Sequence, residues 1–402
     1  MTEPKPDRRV VITALGVTQI LAWGSTFYLL GVLAKPIVAD TGWALDWVVG
    51  GVSIGLLMAG LISPRIGRTI GKRGGGLVLA LGAALLGTGL ILMGLAQSLP
   101  WYLGAWLITG AGMGAGLYDA AFATLGSIYG KDARSAITSL TLFGGFASTV
   151  CWPLSAYLVE HMGWRDTCFV YGAIQISFAL PLHLLIIPRQ SFVMPNRAKA
   201  QAPASSKLLQ DEIPTFCVLA AVLTIGAAIL SMMGTHLLPL LQARGSGLAV
   251  AVGLGTLVGP SQVGARVVEM LAGRHYHPVW TMIASTVLVA IGMLWLLTGT
   301  SLIAVAIIFY GAGNGIGSVA RGTLPLALFG PERYAALMGR LALPILLAMA
   351  LSPFLGALAF KAGGATLTLA LLFGLAATNV MLVLVLRHLC LGVSRRPVAS
   401  NR

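Results

Sequence analysis

Residues 110–119 read GAGMGAGLYD, and residues 311–321 read GAGNGIGSVAR. Each run of alternating glycines sits in an apolar stretch long enough to cross a bilayer. Each is followed at matching depth by a charged residue, Asp119 in one and Arg321 in the other. Working outward, each stretch leads into a charged loop, beginning at Gly130 and Gly330. The loop PRIGRTIGKRGG (64–76) has a shorter counterpart, LAGRHYHP (271–278), that keeps its Gly-Arg pair. The chain therefore reads as an internal duplication. Glycines at this spacing inside a membrane helix serve close backbone approach, because small side chains let helices meet in lipid. A nucleotide-binding reading needs a preceding strand and a βαβ unit, and neither is visible.

Composition agrees. The 402 residues are 57 % hydrophobic and 9 % charged, with a mean hydropathy of +0.88, which excludes an ordinary soluble domain. The apolar runs are continuous rather than alternating, which excludes a β-barrel. Twelve spans fit, over 10–34, 46–64, 75–97, 101–129, 135–159, 166–187, 214–240, 247–272, 278–298, 301–329, 334–360 and 365–391. The expected class is all-α integral membrane, as two pseudo-symmetric six-helix bundles. These are an N-terminal bundle over 1–188, a polar linker over 189–213 and a C-terminal bundle over 214–402. The polar start MTEPKPDRR runs straight into the first span without a small-residue cleavage site, so that span is expected to be retained.

The net charge of +14 does not mark a nucleic-acid binder, because the basic residues lie singly or in loop clusters. With the N-terminus inside, 19 of the 26 basic residues fall on the cytoplasmic side. Only Lys35, Arg165, Arg244 and Lys361 fall opposite, and Arg266, Arg321 and Arg340 lie within spans. That asymmetry places both termini and the linker in the cytoplasm, and a bacterial inner membrane is the expected location. The four cysteines lack CxxC spacing and read as small buried residues. No metal or cofactor is implied. Paired carboxylates, HExxH and a nucleophile-base set are missing from the spans, so an enzyme is not expected.

A second stretch carries the function. Residues 253–274 read GLGTLVGPSQVGARVVEMLAGR, and place Gln262, Arg266 and Glu269 in an otherwise apolar helix. A charge in a span costs a few kcal/mol or more and faces protein or water. Gln262 and Arg266, four apart, share a face. Either Arg266 and Glu269 neutralise each other, or Arg266 offers its guanidinium to an anion. The remaining candidates for substrate contact are Gln19 and Trp23, four apart on the first span, the neighbouring Tyr28, and Asn314; Gln19 and Asn314 read equally as hydrogen-bond partners for a neighbouring helix. Phe27 continues the Gln19 face, and Met232 and His236 lie four apart on the seventh span. His236, before Pro239, reads as an interfacial histidine. Arg340 reads as a snorkelling or gate-pairing arginine.

The chain resembles the major facilitator superfamily over nearly its whole length. In the signature loop after the second span, Gly60, Arg65, Gly67 and Arg68 match, whereas Pro64 replaces the acidic residue and Thr69 the last basic one. GWRDTCF (163–169) is similar to a further segment, while CWP (151–153) stands where drug antiporters have a Gly-Pro pair. Gly259, Gln262, Ala265 and Arg266 resemble the helix-eight frame of monocarboxylate porters and oxalate/formate exchangers, with Gln262 replacing an acid. The resemblance implies a secondary transporter working by alternating access, with Arg266 on an organic anion such as a monocarboxylate. The partners it implies are that small molecule, the bilayer, and a coupling proton or counter-substrate. It implies gate pairs of Asp119 with Arg68 and Glu269 with Arg321, the second of which leaves Arg266 for substrate. The rival readings are an efflux transporter for a drug-like or metalloid solute and a membrane sensor or enzyme on the same scaffold.

Overall fold

The computed structural model describes residues 7–188, 208–299 and 302–394. Most of the predicted linker, 189–207, and the basic residues beyond 394 lie outside them. Every regular element among the described residues is helical: α1 (Arg8–Gly24), α2 (Leu30–Thr41), α3 (Leu45–Arg73), α4 (Gly76–Gly94), α5 (Leu99–Gly116), α6 (Tyr118–Tyr129), α7 (Ala133–Gly145), α8 (Ala147–Ile174), α9 (Leu180–Ile186), α10 (Ile213–Ala243), α11 (Leu248–Gly255), α12 (Val258–Ala272), α13 (Pro278–Thr298), α14 (Ile303–Phe329) and α15 (Pro331–Ser394).

Among the described residues, seven continuous helical runs are long and apolar enough to cross a membrane. Two of them hold several passes. The run Leu99–Ile186 is interrupted at residues 130–132 and at Gly163, where φ is +80°, and Pro331–Cys390 is interrupted at Gly363 and Gly364. Two more passes are each split into shorter helices, α1 with α2 and α11 with α12, so the expected twelve are accounted for. The first pass runs to Thr41 rather than residue 34, which puts Lys35 inside α2 instead of in a loop.

The chain forms two compact units, and they divide it differently from the expected halves. The first is Met1–Ser206 with Phe329–Leu351, and the second is Lys207–Leu328 with Ser352–Arg402. Residues 329–351 join the first unit because their small residues meet α3 at backbone range. Gly67 abuts the Ala335 carbonyl, and a Cβ on Gly339 would lie 3.0 Å from Gly67 Cα. The Tyr334 ring lies against Gly126 of α6. Two glycines of the signature stretch, Gly60 and Gly67, thus serve contact with this segment.

Inside each unit the glycine runs do equivalent work. In the first, Gly110 and Gly114 face α3 at Gly55 and Ala59, while Gly112 faces α4, where a Cβ would be 2.7 Å from Leu86 N. In the second, Gly311 and Gly315 face α12 at Val258 and Gln262, while Gly313 faces α13, where a Cβ would be 2.7 Å from the Ser285 carbonyl. Glycines of one register meet the second pass of their unit and those of the other register meet the third. That is the duplication read from the sequence, expressed as contacts.

Candidate transport site

In the second unit, α12 inverts the pattern of a water-soluble helix. Its buried residues are Arg266 and Glu269, while Val268 and Leu271 are each 65 % exposed. A span turns hydrocarbon outward and charge inward because lipid cannot solvate an ion. Arg266, 6 % exposed, reaches across to the glycine run of α14, where its Nε donates to the Gly315 carbonyl at 3.2 Å. Its Nη2 makes a long 3.5 Å contact with Gln262 Oε1, so the two residues expected on one face do meet. Asn314, half-buried on α14, precedes the residue that Arg266 bonds.

Glu269 is held by neither arginine assigned to it. Tyr276 Oη donates to Oε2 at 2.6 Å and Thr281 Oγ1 donates to Oε1 at 2.8 Å. Both carboxylate oxygens accept from hydroxyls, and the expected pairing with Arg321 is not among the contacts that Glu269 makes in this structure. Tyr276 follows α12 in the connecting turn and Thr281 lies in the first turn of α13, so Glu269 ties the two helices together. Sequence reasoning missed both partners. The available signal was two hydroxyl residues within twelve positions of a buried acid, which is common by chance.

In the first unit, two passes are interrupted in register. α1 gives way at Ser25, and α2 resumes at Leu30. α5 ends where Leu117 turns extended, with φ −83° and ψ −171°. Extended backbone there takes the Gly116 carbonyl out of the helical ladder, and Gln19 Nε2 supplies the missing donor at 2.6 Å. Gln19 is fully buried, and its Oε1 has no partner, as is true of Trp23 Nε1. Around the break the rings gather. Trp23 lies 5.2 Å from Tyr118 and 5.7 Å from Phe27, and Tyr28 lies 5.4 Å from Phe27 and 6.0 Å from Trp152. Tyr118 stacks on Phe122 at 5.0 Å. Interrupted passes with irregular backbone are where secondary transporters build their sites. The breaks, Tyr118 and Phe122 were not foreseen, because no proline marks either interruption.

The expected Asp119–Arg68 pair is not a contact that Arg68 makes in this structure. Arg68 is exposed and donates to Pro64 O of its own helix at 3.2 Å. Asp119 sits in the first turn of α6, where an acid complements the helix dipole. Arg321 and Arg340 are half-buried on α14 and α15. Met232 is buried, and His236 bonds the Pro353 carbonyl at 2.9 Å across a helix contact.

Comparison with known proteins decides the family. The sequence model for the Major Facilitator Superfamily matches residues 15–275, well over half of the chain. This chain belongs to that superfamily. The superfamily is made up of transporters, and the protein is an integral membrane transporter with that fold. The human organic anion transporter MFSD10 (TETRAN) has a similar structure, with a TM-score of 0.72 and 17 % identity over 94 % of this chain and 100 % of that one. FucP, a Major Facilitator Superfamily transporter solved in the outward conformation, gives 0.71 and 13 % over 92 % and 98 %. No curated protein matches the sequence.

Proposed function

We propose that the transporter moves a small organic anion, of which a monocarboxylate is the favoured class, across a bacterial inner membrane by alternating access, with Arg266 as the charge partner. The observation that carries this reading is the engagement of Glu269. A self-neutralised Arg266–Glu269 pair is the strongest rival account of a buried arginine, yet the Glu269 carboxylate is held by Tyr276 and Thr281. Arg266 bonds the neutral carbonyl oxygens of Gly315 and Gln262, and Glu269 is not among the groups it bonds there. A guanidinium so placed holds a carboxylate through two parallel bonds, which an ammonium does not reproduce. Gln262 steadies the guanidinium from one turn away, and Asn314 lies on the facing helix. In the first unit, Gln19, Trp23 and Tyr28 belong to the aromatic cluster at the interrupted passes. The likeness to a protein described as an organic anion transporter supports the fold's suitability for such cargo. Coupling to a proton or a counter-substrate completes the cycle in this reading.

The test is uptake of a panel of small carboxylates into proteoliposomes, measured beside thermal stability. Arg266→Lys is expected to fold and to bind more weakly, and Arg266→Gln to lose uptake. The double variant with Glu269→Gln is expected to remain inactive. Restoration of uptake in the double variant would assign Arg266 to Glu269 and sink the reading.

A further inference from the structure

The ends of α10 and α13, the start of α14 and Leu369 of α15 enclose a cavity of about 130 Å³ in the second unit. Leu237, Leu240, Leu241, Leu296 and Leu369 line it, and its one charged group is Arg244. None of Arg266, Gln262 or Asn314 lines it, so it is separate from the transport site. Arg244 has a structural role: Nη2 donates to the Leu297 carbonyl at 2.9 Å, next to the left-handed turn at Gly299, where φ is +69°. That capping bond uses one of the five N–H groups of a guanidinium. Nε is buried without a hydrogen-bond partner. Nη1 lies beside Gly299, where a Cβ would be 3.0 Å away. Among the described residues no carboxylate pairs with Arg244.

A cap alone needs a single donor. The excess is four N–H groups and a full positive charge at the edge of a leucine-lined space. Leucine walls accept hydrocarbon, and a guanidinium accepts a carboxylate or phosphate. We propose that this cavity binds an amphiphilic anion, with its acidic group on Arg244 and its first carbons among the leucines. The volume suits about six heavy atoms, since a cavity of roughly 150 Å³ takes a benzene-sized guest. The rest of a longer chain would extend out of the cavity. A free fatty acid and an anionic phospholipid share this chemistry.

The experiment measures the unfolding midpoint of the full-length protein in neutral detergent, with decanoate, decanol, inorganic phosphate or phosphatidylglycerol added. Decanoate in large excess is expected to raise the wild-type midpoint by roughly 2 °C or more, while decanol and phosphate leave it unmoved. Arg244→Gln removes the anion contact. Leu237→Phe fills the cavity and leaves the cap in place, so a response lost there reports the chain site even if Arg244→Gln folds poorly. An equal shift from phosphatidylglycerol identifies a lipid as the source, and a shift from decanoate alone identifies a free carboxylate; either upholds the site. The proposal is overturned by no wild-type response, by decanol or phosphate matching decanoate, or by an undiminished response in Leu237→Phe.

Discussion

Gly315→Ala is the most informative small change this transporter offers. A Cβ at position 315 would fall on the Gln262 carbonyl, 2.8 Å from Gln262 Cα and 2.9 Å from its carbonyl carbon. Ordinary carbon contacts are about 3.5–4.0 Å, so α14 and α12 must part by roughly 0.6–1 Å. The Arg266 Nε bond to the Gly315 carbonyl is already 3.2 Å long, and that displacement takes it to about 4 Å, beyond hydrogen-bond range. Overpacking costs about 1–3 kcal/mol, and a lost bond to a charged donor costs about 1.5–3 kcal/mol. Helix propensity returns about 1 kcal/mol when alanine replaces glycine. The net expectation is a loss of about 1.5–5 kcal/mol together with impaired uptake. Gly264→Ala is the control. It lies on α12 two residues before Arg266, is exposed, and has no atom within 4 Å of a Cβ, so it is expected to gain up to about 1 kcal/mol and keep transport. Unfolding midpoints in nanodiscs and uptake into proteoliposomes read both variants. If Gly315→Ala is as stable and active as Gly264→Ala, the α12–α14 contact does not position Arg266.

Thr281→Val and Tyr276→Phe each remove a donor from the buried Glu269 carboxylate and should each lower stability by about 1.5–3 kcal/mol, with substrate affinity unchanged in a binding assay. Gln19→Leu leaves the Gly116 carbonyl at the α5 break without its donor and should cost about 1–3 kcal/mol in thermal unfolding; a neutral result would mean that water supplies the bond. Reporter fusions within 189–213 and at both termini should all report cytoplasm, and a periplasmic signal from the linker would break the orientation.

Sequence alone determined the membrane class, the twelve passes and the duplication, because each rests on local quantities: apolar length, glycine spacing and loop charge. It also marked Arg266 and Gln262 as neighbours, since two residues four apart on a helix share a face whatever surrounds them. What it left open depended on residues far apart in the chain. Glu269 had two candidate arginines within reach of a sequence argument, but only the tertiary structure brought the Tyr276 and Thr281 hydroxyls to its carboxylate. Gln19 read equally as a substrate contact or as a hydrogen-bond partner for a neighbouring helix, and the fold commits its amide to the Gly116 carbonyl 97 positions away. The breaks after Gly24 and Gly116 were not legible for the same reason. No proline forces them, and an irregular turn in a span survives only where neighbouring helices satisfy its backbone groups. Helical periodicity is written in adjacent residues, whereas the partner of a buried polar group is chosen by whichever helix the fold sets beside it.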